Sequence, residues 1–183
     1  SLDGEEAEII RRFYEGIAKF VPQLVSWNGG GFDLPVLNYR ALILGVPAAM
    51  FWETGDENRD FRYNNYVSRY HSRHTDLMDV LAMYQPRNNA PLDEVAQLAG
   101  LPGKIGVGGA KVWETWLAGD AAAIRDYCEA DTVNTYLLYL RYQLLRGVFS
   151  KEVYRKEIKI IKDYLKEQDK PHWREFLKLW NDP

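Results

Sequence analysis

Apolar residues recur at Ile10, Phe13, Ile17 and Phe20, three or four positions apart, so one stripe of a helix faces a core. Glu5, Glu6 and Glu8 occupy the first turn of that predicted helix, where its dipole favours negative charge, and Pro22 ends it. The run from Gln23 to Trp27, bounded by Pro22 and by Asn28-Gly29, reads as a short buried strand. A second helix is expected from Asp33 to Leu44, closed by Gly45 and Pro47. Residues 53–73 are polar and irregular, and residues 73–84 read as a strand running into a helix. Pro91 opens a short helix ending at Gly100, and a glycine-rich loop follows to Lys111. After a short helix around Trp113 and Trp116, Asp120 is a good N-cap for a long helix, about 121–146, that stops at Gly147. Ser150 caps one further helix, and Pro171 starts a last one with Trp173, Leu177 and Trp180 at helical spacing. This order gives an α/β class, with no internal repeat and no low-complexity tract.

Composition narrows the class. The 183 residues suit one ordinary domain with a helical appendage, and the aromatic content of six Trp, twelve Tyr and seven Phe supplies a generous core. No apolar run approaches bilayer-spanning length and no leader opens the chain, so no membrane role is expected. Cys128, alone, forms no internal disulfide, which fits a reducing cytoplasmic location. The net charge of −3 gives no global basic field. Residues 151–183 nevertheless carry nine Lys or Arg against seven Asp or Glu, while residues 1–150 carry fourteen against nineteen. An acidic body still accommodates nucleic acid where divalent cations sit between carboxylates and phosphates.

Two stretches concentrate chemistry. In Ser26–Leu37 (SWNGGGFDLPVL), Asn28, three glycines, Phe32 and Asp33 share a few residues. One reading is a favoured turn dipeptide with Asp33 capping the next helix; the other is a turn that a phosphate backbone approaches, with Asp33 beside a metal. In Tyr127–Asp131 (YCEAD), a hydroxyl and a carboxylate four apart share one helix face, close to the apolar stripe of Val133, Leu137, Leu140 and Leu144. A carboxylate near a core needs a partner or a metal, although this spacing is common on helices without one.

Together, Asn-x-x-x-Phe-Asp after a strand and Tyr-x-x-x-Asp on a later helix resemble the second and third motifs of the DEDDy 3′–5′ exonucleases, of the ribonuclease H-like superfamily. From about residue 5 to 147 the chain is similar to predicted bacterial exonucleases related to the proofreading exonuclease domain of B-family DNA polymerases. The acidic helix, the Asn-Gly turn, the segment His74–Leu81 and the glycine-rich loop come in that family's order. The resemblance implies a ribonuclease H-like exonuclease domain over residues 1–147, with residues 148–183 as a C-terminal helical extension. It implies a two-metal site for Mg²⁺ or Mn²⁺, with Asp131 as a direct ligand and Asp33 helping to hold the second ion. Tyr127 would orient the attacking water, while Asn28 and Phe32 would contact the terminal nucleotide, Phe32 by stacking. Glycines 29–31 would let the backbone approach the substrate. The expected partner is nucleic acid, single-stranded DNA above all. Hard cations prefer carboxylate oxygens, which suits such a site.

The family's first motif, Asp-x-Glu on a buried strand, has a look-alike in Asp3-Gly4-Glu5. No apolar run precedes it and a helix follows at once, so Asp3 reads as an N-cap and Glu5 as a first-turn residue. The first motif and three N-terminal strands are therefore expected to be missing from this chain, which alone should bind Mg²⁺ weakly and degrade nucleic acid poorly. Arg59, Arg62, Arg69 and Arg73, interleaved with Tyr63, Tyr66 and Tyr70, read either as contacts to a single strand or as a solvated loop. His71 and His74 lack a further ligand pair for zinc. Asp76 and Asp79 read as caps or as supports for the site, and the glycine-rich loop lacks the Walker order of Gly, Lys and Ser/Thr. Two functions remain: a metal-dependent 3′–5′ exonuclease acting on single strands, or a catalytically silent, exonuclease-like nucleic-acid-binding or scaffold domain.

Overall fold

Helix α1 runs from Glu6 to Phe20 in the computed structural model, which describes residues 5–181. Its buried face is Ile10, Tyr14 and Ile17. Phe13 only flanks that core and Phe20 is exposed, so the apolar stripe is offset from the expected one. Tyr14 displaces them because its polar tip is satisfied: the hydroxyl donates to Asn38 Oδ1 at 2.8 Å, and the ring meets Phe51 edge-on. Glu5 is the N-cap of α1 rather than a first-turn residue, and its side chain makes no capping bond. Asp3 lies outside the described residues.

Strand β1 (Leu24–Ser26) pairs in parallel with β2 (His74–Asp76), and the register sets Ser26 opposite Asp76. Between them lie α2 (Asp33–Leu44), closed by Gly45 in the left-handed region at φ 66°, and the short α3 (Ala49–Trp52). Residues 53–73 contain one 3₁₀ turn, Arg59–Phe61. The segment is largely exposed but pinned at two rings: Phe61 and Tyr66 are buried, and the Tyr66 hydroxyl donates to Pro22 O at 2.6 Å. Arg73 stacks 4.1 Å from the Phe61 ring centre and donates to Asn64 O, while Arg69 pairs with Asp79. Of those cations and rings, Arg69, Arg73 and Tyr66 are thus engaged by the fold, while Arg59, Arg62, Tyr63 and Tyr70 are exposed. Helix α4 (Leu77–Leu81) continues directly from β2.

The chain divides into two compact units, residues 1–89 and 90–183. In the second, α5 (Leu92–Leu98) and α6 (Val112–Leu117) precede α7 (Ala121–Leu145), whose N-cap Asp120 accepts from Ala123 N at 2.9 Å. Helix α8 (Lys151–Gln168) starts at Ser150, whose hydroxyl accepts from Val153 N, and α9 (Pro171–Leu179) buries Trp173 and Phe176. Both pack on α7. The fold is mixed α/β, mostly helical, with a two-stranded parallel sheet among the described residues. Among these residues no helix is long and apolar enough to cross a membrane.

Candidate active site

The register of the two strands builds the first group of candidate residues. With Ser26 opposite Asp76, the Asp76 carboxylate lies beneath the turn that leaves β1. Asn28 N donates to its Oδ1 and Gly30 N to its Oδ2, each at 2.8 Å. Asp76 is buried, so these charge-assisted bonds supply the partners its burial demands. Asn28 sits at φ 62°, a conformation Asn tolerates better than most residues, and its carbonyl accepts from Gly31 N and Phe32 N.

The three glycines answer to this turn. A Cβ on Gly29 would overlap the Ser26 side chain, and one on Gly31 would overlap Asn28. On Gly30 it would stand 3.3 Å from Asp76 Oδ2. The atoms that crowd these positions belong to the chain itself, whereas the sequence reading reserved the space for substrate. The turn delivers Phe32, 63 % exposed, at the N-cap of α2, and Asp33 as its first residue. Asp33 is exposed as a residue, but its carboxyl end lies over Gly29. Desolvation there pushes its pKa above the ordinary value, and the charge of Asp76 adds to this.

His74 braces the same turn, its Nε2 lying 2.8 Å from Ser26 Oγ, so both histidines once considered for zinc are engaged; His71 Nδ1 accepts from Asn65 N. Burial holds the His74 pKa below the ordinary 6.5, against the pull of Asp76 and Asp79. A depressed histidine pKa means that, as pH falls through 6.5, the unfolded chain binds the proton first. The stability present above that pH is then lost, by at most about 1.4 kcal/mol per pH unit for one proton. Urea unfolding at pH 7.5 and 5.5 should show a larger acid-induced loss in the native chain than in His74→Gln. Equal losses would show that another group carries the dependence.

A second group stands on α7. The Tyr127 hydroxyl donates to the Asp131 carboxylate one turn on, as i, i+4 spacing allows. Asp131 is half-buried, and desolvation pushes its pKa up; Tyr127 and the Lys104 ammonium oppose this, while Asp93 reinforces it. The glycine-rich loop folds against this face. Asn134, buried one turn beyond Asp131, donates to Gly103 O at 2.7 Å and accepts from Gly103 N. Asp93 Oδ1 accepts from Lys104 N at 2.6 Å and from Gln97 Nε2 at 2.7 Å. Farther along the loop, a Cβ on Gly109 would stand 3.4 Å from the Tyr127 hydroxyl oxygen. The loop therefore shapes the surroundings of Tyr127 and Asp131.

The sequence-predicted residues thus form two groups: Asn28, Phe32 and Asp33 in the first unit, Tyr127 and Asp131 in the second. Sequence reasoning missed Asn134, although it lies on the Tyr127–Asp131 face, and left the role of Asp76 open. It also missed Asp126, Glu129 and His172, whose ligand atoms lie within 4.8 Å of one another. Glu129 already accepts from Lys170 Nζ at 2.9 Å and lies 2.9 Å from His172 Nε2, and Asp126 pairs with Arg125. That set works as a clasp of α9 onto α7.

Over residues 1–180 the chain matches the family described as "Predicted 3'-5' exonuclease related to the exonuclease domain of PolB", and it belongs to that family. Among curated proteins it is 30% identical over 145 residues to the DNA polymerase epsilon catalytic subunits A of Emericella nidulans and Aspergillus fumigatus. It is 26% identical over 140 residues to a DNA polymerase of Archaeoglobus fulgidus. Each match covers 75% of this chain, but only 6% of the fungal subunits and 17% of the archaeal polymerase. No solved structure matches.

Proposed function

We propose that this chain carries the exonuclease module of a metal-dependent 3′–5′ exonuclease that shortens single-stranded DNA from its 3′ end. The observation that carries the reading is the Tyr127 hydroxyl bonded to the half-buried Asp131 carboxylate, in a chain of an exonuclease family. The module is of the ribonuclease H-like, DEDDy type, over residues 1–147, with residues 148–183 as its helical extension.

The donor set suits Mg²⁺ or Mn²⁺: Asp33 and Asp131 offer hard oxygen ligands, and burial raises the cost of leaving either charge uncompensated. Two such ions, when bound, supply an activated water and charge stabilisation at the attacking and leaving oxygens. Asp33 and Asp131 would hold them, and Tyr127 would orient Asp131 and the attacking water. Phe32 presents an exposed ring on which a terminal base stacks, and Asn28 fixes the turn that aims it.

A 5′-labelled oligonucleotide incubated with Mg²⁺ or Mn²⁺ should shorten by single nucleotides, and EDTA should abolish the ladder. Two carboxylates are few for two hard cations, so weak cleavage is expected of the 183 residues alone. Stronger cleavage is expected of a longer protein that adds Asp-x-Glu on an apolar strand. Full EDTA-sensitive activity from the 183 residues would refute the need for that motif. A protein that binds the strand but never cuts it, with or without the motif, would instead be the silent nucleic-acid-binding domain.

A further inference from the structure

In the second unit, α7 and α8 bound a groove that the proposed chemistry does not use, and Trp180 closes one side of it. Its cations are sorted. Of the basic residues on α8, Lys151, Arg155, Lys159, Lys162 and Lys166 line the groove, while Lys156 does not. Arg141 of α7 adds a sixth cation. Of the acidic residues on α8, Asp163 lines the groove, while Glu152, Glu157 and Glu167 lie off it. A helix that merely solvates itself has no reason to separate its charges in this way, least of all in a chain of net charge −3.

The apolar lining decides how a ligand would be held. Tyr154 and Trp180 are both buried, beneath Arg141 and Lys162 respectively, so their faces are not open to stacking bases. What the groove offers is six cations around one carboxylate, Asp163, which pairs with Lys159 and Lys166; the surplus positive charge suits a run of phosphates read without regard to sequence. From Lys151 to Lys166 the row extends about 22 Å along α8, at most roughly six nucleotides of a strand stacked at the ~3.4 Å rise of helical DNA and fewer of an extended one. Arg141 lies ten residues beyond Asp131 on α7, about 15 Å of helix.

We propose that this groove is a second nucleic-acid contact, gripping the phosphate backbone of the single strand several nucleotides away from the end being cut. The proposal rests on the exonuclease reading for the identity of the strand, but the groove's binding is separable from cleavage. It predicts length dependence: long strands engage the whole row of cations and very short ones only part of it.

The test is equilibrium binding of labelled oligonucleotides to the 183-residue chain in EDTA, by fluorescence anisotropy across a salt series. Arg155→Gln/Lys159→Gln should weaken binding of a 20-mer about tenfold, and a 4-mer, which meets fewer of the cations, should bind the native chain more weakly than the 20-mer does. The double variant should also lower the slope of log K against log salt by about 1.4, or ~0.7 for each lost phosphate contact on a single strand. Lys156→Gln/Lys178→Gln removes the same charge outside the groove and should change neither; melting curves verify that both variants fold. The proposal is overturned if the groove variant binds the 20-mer as the native chain does, or if the off-groove variant weakens it equally. It also fails if the native chain binds polyglutamate but not the oligonucleotide, which would make the groove a seat for an acidic protein. If the native chain binds through the groove but never cleaves with metal, in the longer protein as well, the exonuclease reading fails and the groove stands.

Discussion

Asp131→Ala is expected to reduce metal-dependent exonuclease activity by more than about a hundredfold while leaving the protein folded. The expected loss is large because even outer partners of metal ligands contribute ~10–100-fold, and Asp131 is assigned as a ligand itself. Stability should not fall with it. Burial already disfavours the ionised carboxyl, so removing that group relieves a cost, and the apparent Tm should hold or rise slightly. Tyr127→Phe keeps the ring and both carboxylates and removes one hydroxyl, so its loss should lie within the ~10–100-fold of an orienting group. Single-turnover cleavage of a labelled strand at saturating Mn²⁺, beside thermal melts, checks both. Activity retained in Asp131→Ala would remove this residue from the reaction; lost activity with a collapsed melt would mean that its role is structural.

The parts of the fold that were legible in the sequence are those fixed by local chemistry. Helix α2 runs from Asp33 to Leu44 as expected because Gly45 supplies a left-handed terminus, and α7 and α8 begin where Asp120 and Ser150 bond the first turn. Features that depend on distant partners were not legible. The polar look of residues 53–73 concealed Phe61 and Tyr66, buried by contacts with α3 and with Arg73. Tyr14 was overlooked in favour of Phe20 because its buried hydroxyl depends on Asn38, twenty-four residues away. For the site, the motifs named Asn28, Phe32, Asp33, Tyr127 and Asp131, but not what holds them. Asn134 anchors the glycine-rich loop across thirty-one residues of chain, a relation no local spacing encodes.

Asp76→Ala should destabilise the first unit by about 3–4 kcal/mol and take activity down with it. The carboxylate receives backbone N–H groups from Asn28 and Gly30, and hydrogen bonds to a charged group contribute ~1.5–3 kcal/mol each. The lower part of the summed range applies, because both donors lie in an exposed turn where water can replace part of the loss. Asp76→Asn separates the two contributions. Its amide offers one acceptor oxygen, and its NH₂ faces the second N–H, so one bond is kept and one is lost. About half the destabilisation should remain. The same change removes the charge that helps to raise the Asp33 pKa, so Asp33 should titrate lower in Asp76→Asn by NMR. Urea midpoints that match the native chain in both variants would show that the bonds from Gly31, Phe32 and Leu34 hold the turn unaided. Stability lost with no change at Asp33 would mean that Asp76 grips the turn without shaping the electrostatics of the carboxylate beside it.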